Sequence, residues 1–297
     1  MTIAKSSLLI AGLNVNVYSL EDSDAQSSRP VAVLFLMHGR TSSTADVEWA
    51  AEQVLNETSK KYENDSTLHH DLLVVTFDHR NHGSRLVDVK ANIGWHEFGN
   101  HNERHAVDMY SIQVGTSRDI STIIDFLPSF LYPNDERSIV HWIASGVSLG
   151  GHSTWIALRT EPRVRVGIPI IGGADYASLL SERAKKAGLS LEPPHFPNSL
   201  RPVIEANDPV RASYEASDSS NPFLGKKVLA LCGGDDTLVP WSATEPFFRK
   251  LNVGPDGLKK VVVAPGVGHR CTPDMIHQMT DFIWEQVLTS TVTSSNL

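Results

Sequence analysis

Residues 139–159 read IVHWIASGVSLGGHSTWIALR, and this stretch decides the fold. The apolar run from Ile139 to Ser145 predicts a buried β-strand, and Gly150 to Arg159 predicts a helix. Between the two, residues 146–150 read GVSLG. Small residues around a serine allow a sharp strand-to-helix turn that strains the serine backbone and lifts its hydroxyl above the sheet. We therefore interpret Ser148 as a nucleophile, against the alternative of a glycine-rich turn with an incidental serine.

A serine hydroxyl is a weak nucleophile at neutral pH and needs a neighbouring base. The chain has 13 histidines, and His269 stands out among them because it follows the predicted strand Lys260 to Ala264 and a short turn with two glycines. Active sites of parallel sheets lie at the carboxyl ends of the strands. We therefore predict that His269 is the base, the alternative being a loop histidine that caps the last helix.

An acidic residue between nucleophile and base in the chain would hold the imidazole in the correct tautomer. Residues 232–240 read CGGDDTLVP and follow the predicted strand Lys227 to Leu231. Asp235 and Asp236 are both available in this stretch. Adjacent side chains point in different directions, so only one of the two carboxylates can face the base.

The rest of the chain alternates between buried strands and amphipathic helices. This alternation predicts an α/β fold with a mostly parallel central sheet and helices on both faces. Residues 8–20 alternate apolar and polar, which is typical of opening antiparallel strands. We assign residues 1–297 to a single domain and expect the tail, 289–297, to be disordered. The remaining predicted strands are 31–37, 71–77 and 164–171, and the remaining helices are 45–61, 115–127 and 273–288.

Residues 172–223 do not fit this alternation. They connect two predicted strands, contain six prolines and are too long for an ordinary connection. We predict that they form a lid inserted over the carboxyl edge of the sheet, with a surface decoration or a dimer contact as the alternative. The residues predicted to line the substrate pocket are Leu180 and Phe196 in the lid, Trp95, Phe98 and Tyr110 before it, and Trp241 after it.

The composition argues against several classes of function. The chain is 41% hydrophobic and 20% charged, with a net charge of −8 and no cluster of Lys and Arg, which disfavours nucleic acid or an anionic membrane as a partner. No apolar stretch is long enough to span a bilayer, and the first residues do not read as a secretory signal. Cys232 and Cys271 are too few for a disulfide framework. We therefore expect a cytoplasmic protein with two free thiols, of which Cys271 is a spectator near the base.

Three histidines, His96, His101 and His105, lie close together in the chain. His101 and His105 have the i, i+4 spacing that would put two zinc ligands on one helix face. No flanking sequence matches a metal motif. We interpret the cluster as polar packing beside the entrance of the site, and we predict that the protein needs neither a metal nor a cofactor.

The sequence GVSLGGH around Ser148 resembles that of small carboxylesterases related to prolyl oligopeptidase and dienelactone hydrolase, within the α/β-hydrolase superfamily. The resemblance extends from about residue 31 to about residue 288 and implies the α/β-hydrolase fold. Members often carry Asp-x-x-Val-Pro, a pattern that starts at Asp236 here, and this implies that Asp236 rather than Asp235 is the acid. Two departures matter: the chain has no propeller domain, and its nucleophile is Ser where dienelactone hydrolases use Cys.

An oxyanion that forms on a substrate needs two backbone N–H donors. Leu149 supplies one as the residue after the nucleophile, and the resemblance implies that Arg40, after the strand 31–37, supplies the other. We expect the Arg40 side chain to point to solvent, with a role in holding a substrate carboxylate as the alternative. The stretch around Asp78 and Arg80 resembles a structural turn of esterases, to which we assign no catalytic role.

Together these residues predict a serine hydrolase that cleaves an ester of a small molecule through an acyl-enzyme intermediate. Thioesters, lactones, small amides and some C–C bonds are alternatives, because the same groups can act on them. A ligand-binding protein or receptor with little turnover is an alternative of a different class. We expect the protein to be a monomer or a homodimer.

Overall fold

The computed structural model describes residues 2–21, 29–64, 70–97 and 99–289. Two of the predictions above lie outside these ranges: the disordered tail beyond residue 289, and Phe98 as a pocket residue. The described ranges form one central sheet with helices packed on both of its faces.

The sheet confirms the α/β prediction. Its strands are β1 (Thr2–Ile10), β2 (Leu13–Glu21), β3 (Val31–Met37), β4 (Asp71–Phe77), β5 (Ile139–Val147), β6 (Val164–Ile170), β7 (Lys227–Gly233) and β8 (Leu258–Ala264). They lie in the order β1-β2-β4-β3-β5-β6-β7-β8. β1 pairs antiparallel with β2, and β2 pairs antiparallel with β4, as residues 8–20 predict. All other neighbouring pairs of described strands run parallel.

Helices connect the strands and cover the sheet. They are α1 (Glu48–Asn64), α2 (His105–Leu131), α3 (Leu149–Thr160), α4 (Tyr176–Ala187), α5 (Leu200–Asn207), α6 (Glu245–Lys250) and α7 (Pro273–Ile283), the last continuing as a π-helical turn, Trp284–Leu288. Within the described ranges, no helix is long and apolar enough to cross a membrane.

Strand β3 shows why the sheet is covered on both faces. Its seven residues are all apolar and all fully buried. Successive side chains of a strand point to opposite faces. Val33 and Phe35 accordingly join a cluster with α2, α3 and α6, whereas Leu34 and Leu36 join a cluster with α1 and α7. The continuous apolar run is therefore the signature of a central strand in a parallel sheet.

The prediction for α2 was wrong at its start. The apolar spacing indicates a helix from residue 115, but α2 begins ten residues earlier, at His105. The added turns bury Ala106, Met109 and Tyr110 in a third cluster, which also contains residues of α4 and α5. Their partners lie far away in the chain, so the local pattern does not reveal this helical face.

Residues 172–223 contain α4 and α5 and pack on the body of the protein. Leu180, Phe196 and Ile204 are buried with Leu149 and other residues of α2 and α3. The Tyr176 hydroxyl donates a hydrogen bond of 2.6 Å to the carbonyl oxygen of Ala106. The function of residues 172–223 as a lid remains a prediction.

Candidate active site

Ser148 occupies a strained turn between β5 and α3. Its backbone has φ 54° and ψ −104°. A positive φ is rare for any residue other than glycine and persists only where the surroundings enforce it. Here the Ser148 N–H donates to the carbonyl oxygen of Ile170 at 2.9 Å, and the Ser148 carbonyl accepts from the His152 N–H at 2.9 Å. These two bonds hold the serine in the strained conformation at the carboxyl edge of the sheet.

The glycines of the GVSLG stretch allow the chain to pass closely around this turn. A β-carbon at Gly146 would lie 2.6 Å from the carbonyl carbon of Gly150. One at Gly150 would lie 2.7 Å from both the Cβ and the carbonyl oxygen of Met37. Both separations are too short for van der Waals contact, so the turn between β5 and α3 requires glycine at both positions.

We expect Gly150→Ala to destabilise the protein by about 1–3 kcal/mol, because the new methyl group overpacks the contact between α3 and β3. The overpacking must outweigh a helix-propensity gain of up to about 1 kcal/mol from replacing glycine with alanine. Gly173→Ala is the matched control, since its β-carbon would meet no atom closer than 3.4 Å. Urea unfolding measures both variants. Equal unfolding midpoints for the two variants would refute the close-approach argument.

His269 lies between the serine and a carboxylate. Its Nε2 is 2.8 Å from the Ser148 Oγ, and its Nδ1 is 2.7 Å from the Asp236 Oδ2. An ionised carboxylate only accepts hydrogen bonds. The neutral imidazole therefore carries its proton on Nδ1, and this N–H donates a hydrogen bond to Asp236. Nε2 is then free to accept the serine proton.

Asp236, rather than Asp235, faces the imidazole. The Asp236 side chain is 1% exposed, whereas Asp235 is exposed. The other carboxylate oxygen of Asp236, Oδ1, accepts 2.9 Å hydrogen bonds from the N–H groups of Leu238 and Val239. Burial opposes ionisation of this carboxyl, but the hydrogen bonds from His269 and the two N–H groups hold its pKa below the usual range. Asp236 thus stays ionised at neutral pH.

The chain at Gly39 and the start of α3 carry the two predicted oxyanion donors, the N–H groups of Arg40 and Leu149. Leu149 is the first residue of α3, where an N–H has no partner within the helix. Gly39, which precedes Arg40, approaches so closely that a β-carbon on it would lie 3.9 Å from the Ser148 Cβ. Within the described part of the chain, neither the Leu149 N–H nor the Arg40 N–H donates to another protein group. Their role as oxyanion donors remains a prediction.

Comparison with solved structures identifies the architecture. TT1662 from Thermus thermophilus superposes with a TM-score of 0.68 at 20% identity, over 96% of this chain and 98% of that one. Est1E from Butyrivibrio proteoclasticus, with ferulic acid bound, gives 0.57 at 17% identity, over 95% and 99% of the two chains. The chain has the α/β-hydrolase fold.

An acylaminoacyl peptidase from Pyrococcus horikoshii is also similar, with a TM-score of 0.60 at 13% identity. The match covers all of this chain but 43% of the peptidase. No protein-family model matches the sequence, and no curated protein sequence matches it. Identities this low establish the α/β-hydrolase fold and nothing finer.

In this α/β-hydrolase fold, Ser148 and His269 open onto a cavity of about 380 Å³, which we call the serine cavity. Cys271 also lines it, and burial raises the pKa of this thiol to about 12, so the thiol stays protonated. Sequence reasoning missed Ile171 and Leu238 as further lining residues. Both lie after the carboxyl end of a strand, and this position is the signal from which they could have been predicted.

The predicted pocket residues lie in different places. Leu180 and Phe196 are buried in the third cluster and do not line the serine cavity. Trp241 contacts the Phe248 ring, 5.4 Å between centroids, and packs on the first cluster. Tyr110 is buried against Tyr176. Trp95 lines a second cavity beside the first. Of the predicted pocket residues that the structure describes, Trp95 lines a cavity next to the serine cavity.

The expectation for the Arg40 side chain was wrong. It does not point to solvent, because both of its terminal nitrogens bind the Glu97 carboxylate, at 2.6 and 2.7 Å. It also donates to the carbonyl oxygen of Asn92 at 2.7 Å. Because Glu97 already neutralises the guanidinium, Arg40 is not available to bind a substrate carboxylate.

A buried histidine pair that sequence reasoning missed holds the turn that carries Arg40. The His79 Nε2–H donates to the His38 carbonyl oxygen at 2.8 Å, and the His79 N–H donates to the His38 Nε2 at 3.1 Å. Burial lowers the pKa of both imidazoles, that of His38 to about 4. Both rings are therefore neutral at the pH where the site would work.

The stretch around Asp78 is held by ordinary polar contacts. Asp78 accepts hydrogen bonds from the N–H groups of Thr44 and Ser84, at 2.9 and 2.8 Å. Arg80 forms an ion pair with Asp119 at 2.8 Å. These contacts tie the loop after β4 to α2 and to the segment before α1.

The zinc alternative loses its geometric basis. His101 precedes α2, so His101 and His105 do not share a helix face. The rings of His96 and His101 stack at 4.3 Å, and the His105 Nδ1–H donates to the carbonyl oxygen of Ile93 at 3.1 Å. Among the described residues, no group of three His, Cys, Asp or Glu side chains is arranged to hold a metal ion.

Proposed function

We propose that the protein is a serine hydrolase that cleaves an ester of a small molecule through an acyl-enzyme intermediate. The observation that carries the proposal is the unbroken line of two short hydrogen bonds, 2.8 and 2.7 Å, from Ser148 through His269 to Asp236. This line opens onto the serine cavity, where a substrate can reach the hydroxyl. The separations are those at which a base can take a proton from a nucleophile.

In the proposed mechanism, the Ser148 Oγ attacks the acyl carbon while His269 Nε2 takes its proton. Asp236 keeps the other ring nitrogen protonated and stabilises the imidazolium that forms. The N–H groups of Arg40 and Leu149 stabilise the negative oxygen of the tetrahedral intermediate. Collapse of this intermediate expels the alcohol, which receives the proton from His269 and leaves the acyl group on Ser148.

Water completes the proposed cycle. His269 takes a proton from a water molecule, and the resulting hydroxide attacks the acyl-enzyme carbonyl. The second tetrahedral intermediate collapses and releases the free acid, while His269 returns its proton to the Ser148 Oγ. The site is then restored, and no step needs a group other than those of the chain and water.

Similar structures carry names that support acyl transfer in general. They include an acetyl xylan esterase from Paenibacillus sp. R4 and an acylaminoacyl peptidase from Pyrococcus horikoshii. An ester and an amide can be attacked by the same serine, so the choice of an ester is part of the proposal. Esters are favoured because their alcohol leaves more readily than an amine.

The experiment that tests the proposal combines labelling with turnover. Purified protein is treated with a fluorophosphonate probe, and the modified peptide is identified by mass spectrometry. Hydrolysis of p-nitrophenyl esters, from acetate to decanoate, is measured in parallel with a p-nitroanilide of the same acyl group. Labelling at Ser148 together with ester turnover supports the proposal. Labelling without turnover favours the ligand-binding alternative, and no labelling contradicts the assigned nucleophile.

We expect a chelator to leave the ester turnover unchanged, because the proposed chemistry uses only side chains, backbone N–H groups and water. The measurement compares the initial rate on p-nitrophenyl acetate before and after dialysis against EDTA. Loss of activity that zinc restores would contradict the prediction and return attention to His96, His101 and His105.

A further inference from the structure

A second cavity, of about 270 Å³, adjoins the serine cavity. We call it the side cavity. The two cavities share Arg40, Glu97 and Leu238 in their walls. Trp95 and Leu238, a residue that is 42% exposed, give the side cavity apolar surface. A molecule whose ester carbonyl lies at Ser148 would have to pass these shared residues to enter the side cavity.

The described lining of the side cavity has more cations than anions: Arg40, Arg183 and Lys186 against Glu97. Arg40 and Glu97 compensate each other in their two-bond ion pair. Arg183, from α4, also lines the cavity, and within the described part of the chain it forms no ion pair. Its Nε is buried and has no hydrogen-bond partner among the described residues. Lys186 adds a second cation at the rim, where it donates to the carbonyl oxygen of Thr237 at 3.0 Å.

The neighbour of Arg183 orients it without neutralising it. The His105 Nδ1–H donates to the Ile93 carbonyl oxygen, which leaves the His105 Nε2 as an acceptor 3.4 Å from one terminal nitrogen of Arg183. Burial, Arg183 and Arg40 lower the pKa of His105 to about 3, so the ring is neutral. Burial and the nearby Arg40 also lower the pKa of Arg183, to about 10, which still leaves it charged at neutral pH.

We propose that Arg183 binds a carboxylate of the substrate, so that the ester cleaved at Ser148 carries an acidic group away from the scissile bond. This inference rests on the proposed function and narrows its substrate class. A planar guanidinium with free N–H groups matches the two oxygens of a carboxylate. A partly buried cation that forms no ion pair strengthens such a bond, because less water competes for it. The nearby negative charge of Glu97 favours a monoanion over a phosphate dianion.

The test compares charged and neutral esters of matched shape. One pair differs in the acyl group: mono-p-nitrophenyl adipate, and the ester in which an isopropyl group replaces the free carboxylate. A second pair differs in the alcohol: p-acetoxybenzoate, and p-isopropylphenyl acetate. The quantity measured is kcat/KM for the wild type and for Arg183→Met. Intrinsic differences between two esters cancel when each variant-to-wild-type ratio is compared with the other.

We expect Arg183→Met to lower kcat/KM for the acidic ester of at least one pair by about 10- to 100-fold, the worth of a hydrogen-bonded charge pair. The neutral partner should change by less than about threefold. Arg183→Lys keeps the positive charge but lacks the planar pair of N–H groups, so its loss of kcat/KM should be intermediate. If the Met variant fails to fold, the same comparison of acidic and neutral esters is made with Arg183→Lys. Lys185→Met, an exposed cation of the same helix outside both cavities, is the matched control.

Equal losses on acidic and neutral esters would overturn the inference, as would the same selective loss in Lys185→Met. If the wild type hydrolyses no ester at all, the proposed function fails, and calorimetry then tests the anion site separately. Adipate should bind the wild type and not Arg183→Met, whereas equal binding or none would overturn the inference. Inhibition by inorganic phosphate without inhibition by adipate would also overturn it, because the anion bound would then not be a carboxylate.

Discussion

Ser148→Ala is expected to lower ester turnover by about three orders of magnitude or more, while the protein stays folded. The substitution removes the atom that forms the acyl-enzyme and leaves His269 and Asp236 in place. The residual rate would come from the oxyanion donors and from water activated by His269. Alanine fits the backbone of the strained turn no worse than serine does, so the free energy of unfolding should change by less than about 1 kcal/mol.

The matched control for this variant is Ser153→Ala. Ser153 lies on the same helix, α3, and its buried hydroxyl donates to the carbonyl oxygen of Leu149 rather than to His269. Both variants are compared with the wild type by kcat/KM on p-nitrophenyl acetate and by urea unfolding. A folded Ser148→Ala protein with near-normal activity would show that another group is the nucleophile.

The predictable part of the fold rests on local patterns. The run Val31 to Met37 is apolar throughout because both faces of β3 are covered, and a strand is the element that such a short run favours. The start of α2 illustrates the limit. His105 looks solvent-exposed in the sequence, yet it is buried and lies 3.4 Å from a terminal nitrogen of Arg183 in α4. A contact with a segment so distant in the chain does not affect the local sequence pattern, so that pattern cannot predict it.

The same distinction applies to the site. Ser148, Asp236 and His269 each follow a predicted strand, and the carboxyl ends of parallel strands meet at one edge of the sheet. Topology alone therefore brings the three predicted residues together. The ion pair between Arg40 and Glu97 spans 57 residues and joins two loops, and neither loop has a periodic pattern. For this reason the sequence led to a wrong expectation for Arg40. It pointed to Trp95 as a pocket residue but did not reveal that Arg183 lines the same cavity.

Asp236→Asn is expected to lower kcat/KM by about 10²–10⁴-fold, and Asp235→Asn by less than about threefold. The asparagine amide N–H can donate a hydrogen bond to His269 Nδ1, which would favour the tautomer with the proton on Nε2 and remove the acceptor for the Ser148 hydroxyl. It would also no longer stabilise the imidazolium.

Asp235 is the matched control for this second variant, since it is the neighbouring residue with the same chemistry but an exposed side chain. The measurement is kcat/KM on one ester for both variants, with circular dichroism to establish that each is folded. Asp236→Asn should also react more slowly with the fluorophosphonate probe, because the same proton transfer activates Ser148 in both reactions. The reverse ranking of the two variants would assign the acid to Asp235. Equal and small losses would mean that His269 needs no carboxylate partner, and the line of hydrogen bonds from Ser148 to Asp236 would then not be the source of the activity.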